Sequence, residues 1–188
     1  MAENLTDAGL DVSVIELSDQ VIAPLDMDMA CDVHHHLRQR GVSLRLKTKL
    51  QKIMEKADGL SVVLDNGTLE TDMLILAIGV RPESRLAKDA GLALNAGGGI
   101  IVDKHMRTAD PDIYAVGDVA EVTDLMTGQA AMIPLAGPAN KQARIAADNI
   151  CGIPSQYLGT QGSAVIKVFD MTAWTSAVMY WRWRSARE

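Results

Sequence analysis

The sequence has little cysteine. Cys31 and Cys151 are its only two in 188 residues, and a pair so far apart makes no disulfide framework, so a reducing compartment is expected. Basic residues are in deficit too. Eighteen Lys and Arg against 24 Asp and Glu leave a formal net charge of −6, and no basic stripe offsets it. Nucleic acid is therefore not an expected partner. Long apolar runs are also missing: the longest, Met73 to Val80, is far too short to span a bilayer, so no membrane partner is expected. Met1 opens directly into polar, helix-like sequence with no signal-peptide pattern, and the expected location is cytoplasmic. No internal repeat and no low-complexity segment is present.

What remains is ordinary globular composition, 48% hydrophobic and 22% charged, in a chain long enough to bury a core. "AENLTDAG" reads as a short helix leading into "DVSVIELS" (11–18), whose alternation and β-branched residues predict a strand. Asp26 can cap a helix through "MDMACDVHHHLRQR", ended by Gly41, with Met29, Val33 and Leu37 as its core-facing stripe. "VSLRLKT" is a strand. The stretch from Lys49 predicts hairpin strands turning at Asp65-Asn66-Gly67, then a buried strand at 73–78. "PESRLAKDAGL" predicts a short helix, 97–106 a strand, and "IYAV" (113–116) a strand that stops at Gly117-Asp118. After a polar loop at 123–129, a helix starts near Gly137-Pro138, proline suiting the first position. Ala139, Ala143, Ala146, Ala147 and Ile150 line one face of it. This order predicts an α/β fold of the dinucleotide-binding type.

Three places carry candidate chemistry. Glu16 ends its strand where, in a dinucleotide fold, an acid bonds the adenosine ribose hydroxyls and disfavours the extra phosphate of NADP. The Gly-x-Gly-x-x-Gly loop expected about 20 residues upstream of such an acid is not in the sequence, and a plain strand-end carboxylate is the other reading. Gly79 closes a fully apolar run, where a glycine lets the backbone approach a planar ligand or simply makes a turn. Asp118 follows Gly117 at the carboxyl end of an expected central strand, where open α/β sheets bind ligands. Its oxygens suit a polyol hydroxyl, although an Asp there can also cap the next turn. Cys31, His34 and His35 offer C-x-x-H spacing, but structural zinc needs four ligands and no second pair follows. They read as a helix face, with no metal.

Taken together, "MAENL…VSVIEL", "LILAIGVRPES", "TADPDIYAVGDVAEV", "IPLAGPANKQARIAADNI" and "GSAVIKVFDMT" resemble the FAD-dependent pyridine nucleotide-disulfide oxidoreductases. The branch resembled contains CoA-disulfide reductases, NADH oxidases and NADH peroxidases, and the likeness covers residues 1–172. It implies a truncated Rossmann-like NAD(P)-binding domain at 1–106, lacking its first βα unit. The second segment of an FAD-binding domain at 107–160 and the start of an α+β dimerisation domain at 161–172 would follow. The resemblance further implies that Asp118, with Gly117, holds the FAD ribityl chain. Leu135, Ala136 and Asn140 would face the flavin pyrimidine edge, and Gly79 would lie near the nicotinamide.

The implied parent is a homodimer that passes hydride from NAD(P)H, with NADH preferred through Glu16, via FAD to a small-molecule acceptor. That acceptor is a disulfide, peroxide or oxygen. The family's redox cysteine has no counterpart in the chain, since neither Cys31 nor Cys151 maps to it, so no catalytic residue is assigned. The chain is accordingly expected to be a fragment without the first FAD segment, the NAD glycine loop and most of the interface domain. The alternative is an inactive remnant or self-associating fold fragment that binds no cofactor; a ferredoxin- or rubredoxin-reductase-type carrier is a third reading. Residues 173–188, "AWTSAVMYWRWRSARE", depart from the family and read as out-of-frame sequence or an amphipathic tail.

Overall fold

The computed structural model describes residues 1–176, 179–180 and 184–185. Half of the atypical tail at 173–188 thus lies outside the described residues. The described residues form two compact units: 1–77 with 164–175, 179–180 and 184–185, and 78–163 with Ser176.

The first unit opens with helix α1 (Ala2–Asp7) and strand β1 (Ser13–Ile15). Helix α2 (Met27–Gln39) then crosses to strand β2 (Ser43–Arg45), which pairs parallel to β1 with Ser13 opposite Ser43 and Ile15 opposite Arg45. The helix starts after Asp26 and has Asp28 in its first turn and His36 and Arg38 in its last, the distribution the helix dipole favours. Gly41, at φ +85°, turns the chain out. The buried face is Ala30, Val33, His34 and Leu37. It joins Leu25, Val42, Phe169, Met171 and Ala173 in one cluster, with Met29 packed at its margin. The last three of these come from the hairpin of β9 (Ala164–Val168) and β10 (Met171–Ser176). The short strands β11 (Met179–Tyr180) and β12 (Arg184–Ser185) neighbour β10. At the hairpin turn, the Asp170 carboxylate accepts a hydrogen bond from Arg40 Nη2 and lies 2.9 Å from His36 Nε2. Arg40 also lies over the Phe169 ring.

β3 (Leu50–Lys56), β4 (Gly59–Leu64) and β5 (Gly67–Thr71) form an antiparallel meander in the same unit. Its second turn falls at Asp65-Asn66, as the sequence predicts. Gly59 has φ +109°, and a Cβ there would sit 2.7 Å from the Thr71 carbonyl oxygen, so no side chain fits. Glu70 accepts from the Ser61 hydroxyl at 2.9 Å and pairs with Lys56 at 2.8 Å.

The second unit contains α3 (Arg85–Asp89), β6 (Ile100–Ile101), β7 (Ala120–Thr123), β8 (Ala130–Ala131) and α4 (Ala136–Ile150). β7 pairs parallel with β6 and antiparallel with β8. Met106, Val122, Ala146 and Tyr157 make one cluster, and Ala87, Ile100 and Ala115 another.

The α/β class stands, with parallel pairs in both units, but several strand expectations need correction. Residues 73–78 form no strand, and Met73, Ile75, Leu76 and Ile78 are exposed rather than buried. The run has strand composition but no neighbour to supply a ladder, and a strand exists only through its pairing. The 113–116 strand reduces to a single bridge between Tyr114 and Arg107, and the 97–106 strand to Ile100–Ile101. The buried face of α4 also differs. Gln142 and Ala146 are buried, whereas Ala143, Ala147 and Ile150 face out. Alanine fits a helix in either setting, so small residues did not mark the packed side.

Candidate functional site

The Gly117-Asp118 step lies in a single 3-10 turn, Gly117–Val119, between Val116 and β7. Gly117 has φ +82°, a left-handed value that costs any residue with a Cβ, and this explains the glycine. Its N–H donates to Gln142 Oε1 at 2.7 Å. The next residue, Asp118, is exposed, and its carboxylate makes no hydrogen bond or ion pair among the described residues. It lines a cavity of about 240 Å³ with Val80, Arg81, Pro82, Glu83, Val119, Met132 and Pro134. The capping alternative for Asp118 therefore lacks the bond it needs. A carboxylate with both oxygens free at a concave surface is an acceptor pair for hydroxyl groups.

Pro134 leads into α4, which starts at Ala136 after Leu135 at φ −131°. The helix begins two residues before Pro138, placing proline in the first turn rather than at its first position. The N–H groups of Ala136 and Gly137 have no hydrogen-bond partner among the described residues. They form a donor pair at the positive end of the helix dipole. Leu135 is half-buried, Ala136 exposed, and exposed Asn140 spends its Nδ2 on the Ala136 carbonyl at 3.0 Å. Gly79, at φ +91°, is exposed with open space around its Cα, and adjoins the cavity-lining Val80.

The structure thus brings Asp118, Pro134 and the segment after Gly79 to one cavity, with Gly117 packed against α4. These residues fit part of a flavin: hydroxyl acceptors for its polyol chain and N–H donors for a polar ring edge. No glycine-rich loop followed by a helix start, as a pyrophosphate needs, occurs among the described residues. Sequence reasoning missed Gln142, 1% exposed. Its signal was a lone polar residue three after Ala139 and four before Ala146, hence on their helix face.

Glu16 belongs to the first unit. It follows β1 directly, its N–H donating to Arg45 O and its carbonyl accepting from Thr48 N–H. Its Oε1 accepts from Ser18 N–H at 2.8 Å, closing a local turn. A second carboxylate oxygen is left for another donor.

The C-x-x-H residues separate. Cys31 and His35 are exposed, while His34 is buried with Nε2 accepting from Val21 N–H at 3.1 Å. That ring nitrogen is engaged and cannot also bind a metal. No three metal-binding side chains come together among the described residues. Burial, and secondarily the Arg38 charge, hold the His34 pKa below the ordinary histidine value, with Asp19 opposing.

Residues 1–143 match the family model described as pyridine nucleotide-disulphide oxidoreductase. The NADH oxidase of Methanocaldococcus jannaschii is 39% identical over 172 residues, 91% of this chain and 38% of that protein. Reduced Bacillus anthracis CoADR-RHD superposes with a TM-score of 0.87 at 47% identity, covering 94% of this chain and 32% of that one. A FAD-dependent pyridine nucleotide-disulphide oxidoreductase from Desulfovibrio vulgaris gives 0.87 at 35% identity, covering 93% and 45%. The chain spans less than half the length of each.

Proposed function

The chain belongs to the pyridine nucleotide-disulphide oxidoreductase family, and from that premise we propose that it carries part of the cofactor machinery of a flavin- and NAD(P)H-dependent oxidoreductase. The observation that carries this reading is the unpartnered Asp118 carboxylate at the cavity, set on a glycine turn hydrogen-bonded to α4. When bound, FAD supplies two-electron exchange with a nicotinamide hydride.

The chain's own residues bind and orient. Asp118 accepts from ribityl hydroxyls, and Gly117 keeps side-chain bulk out of their way. Ala136 and Gly137 present α4's free N–H groups to the pyrimidine edge, where they favour negative charge, with Leu135, its own N–H donated to Ile133 O, flanking them and Asn140 bracing that turn. Gly79 leaves room for a nicotinamide ring, and Glu16 receives ribose hydroxyls, favouring NADH over NADPH. By this reading residues 1–106 serve the nicotinamide nucleotide, 107–160 the flavin, and 161–172 open an interface domain. The acceptor is a disulfide such as that of CoA, a peroxide or oxygen, and the parent-length protein is a homodimer.

Titrating the chain with FAD and following flavin fluorescence tests this. Saturable quenching that weakens on Asp118→Ala is expected, by about 1–3 kcal/mol, the usual cost of deleting a charged hydrogen-bond partner. Equal affinity in the two proteins would remove Asp118 from the site. A second reading, a self-associating chain that holds no cofactor, draws on the exposed apolar residues Leu76, Ile78 and Val80. Concentration-dependent size without any FAD quenching would favour it.

A further inference from the structure

Gln142 is the most deeply buried polar side chain of its unit, 1% exposed, on a helix face otherwise made of Ala139, Ile145 and Ala146. Desolvating a carboxamide beside alanines is unfavourable unless the group is hydrogen-bonded, and an apolar side chain would fill that space more favourably. Gln142 does make such a bond, and its partner is informative. The Gly117 N–H that it accepts at 2.7 Å belongs to the residue immediately before Asp118. We propose that Gln142 is a positioning residue of the cofactor site, fixing the Gly117-Asp118 turn to α4.

This rests on the flavin reading above. α4 offers its free N–H groups at Ala136 and Gly137, and Gln142 lies six residues further along, about 9 Å at 1.5 Å per residue. One hydrogen bond therefore sets the separation between the helix start and the Asp118 carboxylate. Two groups expected to grip different portions of one ligand then act as a rigid pair, which removes an ordering cost at binding. Gly117 depends on the same bond. In its left-handed conformation, the N–H of this half-buried residue has no other partner among the described residues.

The test uses the 188-residue chain with Gln142→Met, similar in volume but lacking the acceptor, and Gln142→Glu, which keeps one. Thermal midpoints establish that each variant folds. Amide exchange at Gly117, read by NMR, should speed up in Gln142→Met and stay slow in Gln142→Glu. FAD affinity from fluorescence quenching should fall about tenfold in Gln142→Met, the worth of one hydrogen bond, and recover in Gln142→Glu. In an Asp118→Ala background, Gln142→Met should cost much less, because its effect passes through Asp118. FAD bound by the unaltered chain together with fully additive losses overturns the positioning role alone. So does an unchanged Gly117 exchange rate in Gln142→Met. No FAD binding by the unaltered chain overturns the flavin reading itself, leaving the Gln142 bond as packing.

Discussion

His34 accepts a backbone hydrogen bond through Nε2 and must be neutral to do so. Its folded pKa is lowered below 6.5, mainly by burial. Below that value the unfolded chain binds a proton that the folded chain resists, so stability is fully present above about pH 6.5 and is lost as pH falls. The thermal midpoint should therefore drop between pH 7 and pH 5.5, and Gln in place of His34 should flatten that slope even if it lowers the midpoint. Equal slopes in the two proteins would remove His34 as the source of the pH dependence. Glu16 yields a second residue-scale expectation. In a protein restored to the length of its relatives, Glu16→Ala should narrow the ratio of NADH to NADPH kcat/KM by relieving repulsion of a 2′-phosphate; an unchanged ratio would leave Glu16 a turn residue bonded to Ser18. At this scale, single residues with special chemistry were legible in the sequence. Gly117 and Asp118 stand out because a glycine and a carboxylate interrupt an apolar run, and Asp118 lines the cavity. For Gln142 only its place on the Ala139–Ala146 helix face was legible; its partner, a backbone group 25 positions away, was not.

α2 shows what an element owes to its packing. Val33 and Leu37 fall one turn apart on its buried face, and Phe169 and Met171 reach the same cluster from the β9–β10 hairpin. Leu37→Ala should destabilise the first unit by about 2–5 kcal/mol, the usual cost of a buried leucine plus the cavity left behind. A denaturation midpoint unmoved by the change would mean that this helix is not in the cooperative core. Helix periodicity exposed this element in the sequence because it is written along a single continuous segment. The stretch 73–80 could not be read in the same way. Its composition predicts a buried strand, but burial depends on what lies alongside, and Ile78 and Val80 are 86% and 81% exposed. Strand propensity states a fit to a pleated surface and does not provide one.

For the molecule as a whole, the proposed flavin reading makes the site half of a grip. The described residues offer groups for the polyol and a ring edge, and none offers a glycine loop for pyrophosphate. The chain should therefore bind FAD in a titration yet lose it on extensive dialysis, since charged phosphates without a cradle are held only weakly. Stoichiometric flavin absorbance after dialysis would show a second anchoring element that the fold description lacks. Among the described residues, no helix is long and apolar enough to cross a membrane.

The Arg40–Asp170 bond joins positions 130 apart, and the whole Ile78–Ser163 unit lies between them in the chain. During synthesis, that inserted unit emerges complete while the surrounding one still lacks Phe169, Met171 and Ala173. Late closure of a core over so long an intervening segment delays the stable contacts of α2, even though α2 leaves the ribosome early. On ribosome-bound chains halted shortly after Ser163 has emerged, protease should cut around α2 while sparing α4, and extension past Thr175 should protect both. Protection of α2 before the hairpin emerges would show that its core closes without those three residues. On this expectation the part of the chain made first is the part secured last, with the twelve residues 164–175 acting as the clasp on residues 1–77.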